Sequence, residues 1–263
     1  MTLIMGIVNV TPDSFSDGGR YLDPDAALAH ARLLREQGAE ILDVGGESTR
    51  PGAERVAPRV EQQRVLPVVE ALASEGSFVS IDTMNAATAV AAVRAGARLV
   101  NDVSGGLADP DMLAAVAETE AEIALGHWRG PSTEMYARAD YADVAREVSD
   151  ELAERVEAAR AAGIDRSRLI LDPGIGFGKR GVQNWQTLRA LPQIAELGIR
   201  VLVGTSRKRF LAEVIGDDAD LARRDLATAV TSALSARSGA WAVRVHDVPT
   251  TRDALAVARA WEA

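Results

Sequence analysis

The chain has 263 residues, of which 47% are apolar and 25% charged, with no cysteine and a formal net charge of −9. That is enough apolar material for the full core of one α/β unit. The missing thiols exclude disulfides, thiolate nucleophiles and thiolate metal sites, and the acidic balance argues against generic nucleic-acid binding.

In chain order, short β-rich runs alternate with longer helical stretches. The predicted strands are Leu3–Val8, Ile41–Val44, Phe78–Ile81, Leu99–Val100, Glu122–Leu125, Leu169–Leu171, Val201–Val203 and Trp241–Val245. Each is nearly continuously apolar and gives way to polar or glycine-rich residues, the pattern of strands buried on both faces of a parallel sheet. The first helix is expected to open at Asp23, an N-cap, with Pro24 in its first turn, and to stop at Gly38. Gly96, Gly163 and Gly239 are expected to end later helices in the same way. No linker or low-complexity tract divides the chain. Eight β/α units predict a single (β/α)8 TIM barrel over residues 1–263, with a doubly wound open sheet as the structural alternative. No apolar run nears the roughly 20 residues of a membrane span. The N-terminal stretch has no basic leader or cleavage site, so a cytoplasmic protein is expected.

In such a barrel the active site lies at the C-terminal ends of the strands. The residues there form a polar ring: Asn9, Asp43, Asp82, Asn101, His127, Asp172, Ser206, Arg207, Lys208, Arg244 and His246. Singly, each could be a turn former or helix cap. The loops after the seventh and eighth strands carry GTSRKR and VRVHDV, in the usual place for a phosphate site. Arg244 and His246 are two residues apart and are expected to point the same way. Asp82, Asn101 and Asp172 offer carboxylate and amide groups to a flat, nitrogen-rich ligand. The unaided reading is a site for an anionic substrate with such a head. His30, mid-helix, is expected to be structural. GIGFG (174–178) matches a dinucleotide loop only weakly, because no acidic strand end follows at the required distance.

Seven motifs, in order and over nearly the whole chain, resemble the dihydropteroate synthase family of pterin-binding enzymes: IMGIVNVTPDSFSDGG (4–19), ILDVGGESTRPGA (41–53), SIDT (80–83), NDVSGG (101–106), LDPGIGFGK (171–179), VGTSRKRFL (203–211) and RVHDV (244–248). The resemblance implies a folate-biosynthesis transferase, a sulfonamide target, that joins 6-hydroxymethyl-7,8-dihydropterin pyrophosphate to p-aminobenzoate. It also implies magnesium and a homodimer. Matched by motif, Asp82, Asn101, Asp172 and Lys208 are expected to hold the pterin. Asn9, Arg50, Arg244 and His246 are expected to hold the pyrophosphate, with Asn9 near the metal. Thr49, Pro51, Phe15, Phe177 and Ser206 are expected at p-aminobenzoate. Lys208, Asp82, Asp172 and Arg244 would be the catalytic set. The glycines of 174–178 are expected to bring backbone and Phe177 close to flat rings. The loops 10–20 and 45–55 are expected to close over bound pyrophosphate.

Two positions depart from the family pattern. Gly126 stands where an apolar residue, often Met, precedes the histidine, and is expected to remove a wall of the pterin pocket, with Trp128 in compensation. Gln183–Asn184 replaces a His–Asn pair. Two other functions fit part of the pattern. A methyltetrahydrofolate–corrinoid methyltransferase would share the pterin carboxylates but has no use for the anion-binding set. A non-catalytic paralogue would be expected to have lost Asn9, Arg50, Lys208 or Arg244, and all four are present.

Overall fold

A computed structural model describes residues 1–11, 24–48, 55–134 and 136–262. Eight strands form a closed barrel: β1 (Leu3–Asn9), β2 (Ile41–Gly45), β3 (Val79–Asp82), β4 (Leu99–Asp102), β5 (Glu122–Gly126), β6 (Leu169–Asp172), β7 (Arg200–Val203) and β8 (Ala242–Val245). Every strand pairs in parallel with the next, and β8 closes onto β1 with Met5 opposite Arg244. Closure rules out the open doubly wound sheet. The helices are α1 (Pro24–Gln37), α2 (Pro58–Ser74), α3 (Ala86–Arg94), α4 (Met112–Ala117), α5 (Val144–Ala161), α6 (Val182–Arg189), α7 (Leu191–Ala195), α8 (Arg209–Ile215), α9 (Leu221–Arg237) and α10 (Val248–Glu262). No described helix is long and apolar enough to cross a membrane.

Two apolar layers hold the barrel. Met5, Ile41, Leu99, Ala124, Ile170, Leu202 and Ala242 meet inside it. A larger layer, including Val44, Ile81, Val100, Leu171, Val203 and Val245, packs outward against helix residues such as Ala31, Leu34, Val68 and Leu152. Each large aliphatic side chain so buried contributes about 1.5–3 kcal/mol. Side chains alternate along a strand, so the residue two places beyond each interior apolar group also faces inward, one layer nearer the mouth. That rule places Asp43, Asn101, Asp172 and Arg244 above Ile41, Leu99, Ile170 and Ala242. Several strands run further than their apolar runs suggest, so end residues such as Asn9, Asp82, Asn101 and Asp172 belong to the sheet.

The expected helix stops are borne out. Gly38, Gly96, Gly163 and Gly239 have φ of 111°, 108°, 98° and 93°, where a side chain would be strained. Asp143 and Asp220 cap α5 and α9 by accepting from the Arg146 and Arg223 amides at 3.2 and 2.9 Å. Asp23 lies outside the described residues.

Candidate active site

The C-terminal mouth of the barrel opens into a cleft of about 1200 Å³ whose lining includes Asn9, Asp82, Asn101, Asp172, Ser206, Lys208, Arg244 and His246. On one side the charges are paired. Arg244 donates from Nε to Asp43 at 2.6 Å and from a terminal nitrogen to Asp82 at 2.7 Å. Asn101 donates to the same Asp43 oxygen at 3.0 Å. Asp43 is fully buried beneath the cleft floor, and among the described residues its other oxygen has no partner, nor does the hydroxyl of Ser80, its register partner on β3. Burial pushes the Asp82 carboxyl up to about 7, against the pull of Arg244 and with the push of Asp43. Burial works against the Arg244 cation, but Asp43 and Asp82 outweigh it and hold its proton more firmly than usual.

The other side is built on the loop after β6. Asp172 accepts from the Gly174 amide at 2.8 Å, and burial raises its pKa against the nearby Lys208 charge. Gly174, Gly176 and Gly178 have φ of 63°, 82° and 57°. A Cβ at Gly174 would sit 2.2 Å from the His127 carbonyl, and one at Gly176 would sit 2.7 Å from the Lys208 stem. The glycines therefore bring the loop against protein, and Phe177 stacks under the Lys208 ammonium, 4.4 Å from its ring centre. Lys208 also donates to the Ile175 carbonyl and meets no carboxylate within ion-pair distance among the described residues. Burial lowers its pKa to about 8, although Asp172 favours the cation.

Ser206 and Lys208 are set into the cleft by a strained turn. Arg207, between them, has φ 56°, unusual for a residue with a side chain. Its guanidinium is clamped by Asp225 on α9 at 2.6 and 2.9 Å, and its amide donates to Thr228. Ser206 Oγ lies 2.8 Å from Nδ1 of His246, whose own amide donates back to that hydroxyl at 3.1 Å. Arg244 and His246 thus both face the cleft, as their spacing implied.

A model of the family described as pterin binding enzyme matches residues 5–246. The dihydropteroate synthase of Mycobacterium leprae is 52% identical over 263 residues, covering 98% of this chain and 93% of that protein. The chain belongs to the dihydropteroate synthase family of pterin-binding enzymes. Among solved structures, a dihydropteroate synthase from Xanthomonas albilineans with 4-aminobenzoic acid superposes with a TM-score of 0.92 at 46% identity, over 100% of this chain and 93% of that one. The same bacterium's enzyme in complex with 7,8-dihydropteroate gives 0.89 at 43% identity, over 100% and 94% of the two chains.

Within this family frame, the cleft gathers Asn9, Asp82, Asn101, Asp172, Phe177, Ser206, Lys208, Arg244 and His246. Phe15, Thr49, Arg50 and Pro51 lie outside the described residues, as do most of the loops expected to close. Other expectations are corrected. His127 does not face the cleft; it is buried behind the glycine loop against Glu151 and Lys179. Arg207 lines the cleft edge, but its charge is taken by Asp225. His30 is half-buried on α1 at the edge of the same cleft, where burial lowers its pKa against a backbone hydrogen bond with Ile7. Gly126 does not open a wall: a Cβ there would come within 2.4–2.6 Å of the Val103 backbone, and Val103 itself lines the cleft. Trp128 is not among the lining residues.

Several supports carried no assigned role at the level of sequence. Asn184, 2% exposed, accepts from the Gly176 amide at 2.7 Å and donates back to the Gly181 carbonyl at 3.3 Å. Gln183 accepts from the Arg180 amide at 2.7 Å, outside the ligand space. Glu47 lines the cleft, pairs with Arg55 at 2.9 Å and accepts from the Val56 amide at 2.8 Å. Lys179 was visible only as the residue that follows three alternating glycines.

Proposed function

We propose that this chain is a transferase that joins 6-hydroxymethyl-7,8-dihydropterin pyrophosphate to p-aminobenzoate, forming dihydropteroate and pyrophosphate. The observation that carries the reading is the convergence in one cleft of two buried carboxylates, an amide, an unpaired lysine and a paired arginine. Asp172 and Asn101 would read the amino and ring N–H edge of the pterin, with Lys208 across from them. Arg244, His246, Asn9 and Arg50 would take the pyrophosphate, the guanidinium fork matching its oxygens. Phe177, Ser206, Thr49, Pro51 and Phe15 would surround the arylamine. The loops 10–20 and 45–55 would close over the bound pyrophosphate.

The C–O bond to pyrophosphate breaks first, and its electron pair leaves with the phosphate. Asp82 and Asp172 offset the positive charge that develops on the pterin, while the cations stabilise the departing oxygens. The arylamine nitrogen then forms the C–N bond and loses a proton. No covalent nucleophile is required. Magnesium belongs to the proposal. Among the described residues no three His, Asp or Glu side chains cluster as a metal site. Asn9 offers one amide oxygen in the cleft, so the donors fit a cation that arrives on the substrate's phosphates. There it would supply charge neutralisation for the leaving group.

A homodimer and a cytoplasmic location are part of the same proposal. Leu226, Val230 and Leu234 recur every four residues along α9 and are 57%, 49% and 52% exposed, a stripe that a second copy would cover. Sedimentation analysis of Val230→Glu against the unmodified protein tests it; the same mass for both argues against this face.

The deciding experiment measures pyrophosphate release from the dihydropterin pyrophosphate in Mg²⁺, with and without p-aminobenzoate. Release coupled to dihydropteroate formation supports the reading. Tight pterin binding without turnover moves it to a non-catalytic paralogue, and absence of pterin binding overturns it.

A further inference from the structure

The lysine that follows the three glycines points away from solvent into the back of the site. Lys179 is 1% exposed, and no carboxylate touches it among the described residues. Its three ammonium N–H groups have three acceptors: His127 Nδ1 at 2.9 Å, the Gly174 carbonyl at 3.0 Å and the Phe177 carbonyl at 3.2 Å. For Nδ1 to accept, the neutral imidazole must carry its proton on Nε2. That nitrogen lies 2.9 Å from Glu151 on α5. Glu151 in turn pairs with Arg129, which also holds Glu147 at 2.7 Å and the Asp140 carbonyl at 2.8 Å. The negative charge of Glu151 thus reaches Lys179 only through an imidazole.

The loop gripped in this way carries much of the pterin side. Gly174 donates to Asp172, Ile175 accepts from Lys208, and Phe177 stacks on Lys208. Tyr141 donates to the Gly178 carbonyl at 2.9 Å, and Asn184 holds the Gly176 amide. Glycines at three of five positions would leave such a segment many conformations. The side chains around it remove that freedom.

We propose that Lys179 is a positioning residue: its ammonium, braced by His127 and behind it Glu151, pins the carbonyls of Gly174 and Phe177 and so aligns Asp172 and Lys208 for the pterin. Burial lowers the Lys179 pKa to about 7; Asp172 and, after it, Glu151 favour its charge, while Lys208 and Arg129 oppose it. The aligning role rests on the pterin-binding reading above, whereas the pin itself can be tested without ligand.

The exposed Arg180 follows the loop directly, so trypsin cleavage after Arg180 in the folded protein reports its opening. Lys179→Met, similar in shape but without donors, should speed that cleavage roughly 10–100-fold and raise the KM for dihydropterin pyrophosphate by a comparable factor. Mere loss of folded protein would lower kcat and leave KM unchanged. Glu151→Gln keeps a hydrogen-bond acceptor for the imidazole but removes the charge, and should move both readouts the same way by several-fold. It decides the matter alone if Lys179→Met fails to fold. Unchanged cleavage and unchanged KM overturn the proposal. Failure of the unmodified protein to bind the pterin substrate sinks the functional reading instead, and leaves the cleavage comparison intact.

Discussion

The two sides of the cleft handle buried charge differently. Beneath β2, β3, β4 and β8, Arg244 is tied directly to Asp43 and Asp82, and Asn101 to Asp43. Beneath β6 and β7, Lys179 and Lys208 lie close to Asp172 but bond to carbonyls and an imidazole. The paired side is a brace. Its charges are paired with one another before any ligand arrives, so removing Arg244 strands two carboxylates. The unpaired side holds cations at reduced pKa, where the charge of a ligand has the largest effect.

The largest expected effect separates the two sides. Arg244→Ala leaves two buried carboxylates without their partner and should lower unfolding free energy by about 3–5 kcal/mol, measured by urea denaturation, as well as abolish turnover. Lys208→Ala should abolish turnover with a much smaller change in stability. Equal losses of stability would erase the contrast. Next, Asp172→Asn removes a charged acceptor for two pterin donors and should lower kcat/KM about 10²–10⁴-fold, from about 1.5–3 kcal/mol per charged hydrogen bond. Steady-state turnover at varied pterin concentration checks it.

The pH response should split in opposite directions on the unpaired side. The Lys208 pKa is lowered from 10.5 to about 8 in the folded chain. Below that value the buried charge opposes folding; between about 8 and 10.5 the unfolded chain binds more protons, so stability rises with pH. Lys208→Met should therefore be more stable than the unmodified protein at pH 7, and the gap should close towards pH 10 in denaturation curves. Activity should instead fall above about pH 8, as the cation is lost. The smallest effect is expected at Ser206→Ala. It removes the two hydrogen bonds with His246, about 0.5–1.5 kcal/mol each, and should raise KM for the pyrophosphate substrate by about tenfold, read from initial rates.

Much of this was legible in the chain itself. Short apolar runs that end in polar residues gave the strand order, because a strand buried on both faces has no room for polar groups until it reaches the mouth. Asp82, Asn101, Asp172, Lys208 and Arg244 were legible because they stand at those ends within long motifs. The direction of a side chain was not. His127 and Asp43 stand at strand ends like the others, yet one turns behind the glycine loop and the other sits under the floor. Gly126 read as a missing wall, because its neighbour Val103 is distant in sequence and fills that space with backbone.

Local pattern, then, determined the barrel and the mouth residues, since period-2 burial and glycine stops act over a few residues. Only the tertiary structure decided which charges are neutralised at the mouth and which remain unpaired. Arg244 reaches Asp43 across 201 residues, and Lys179 reaches His127 across 52. Coulomb energy and desolvation depend on distance and burial in space, and only closure of the barrel sets those.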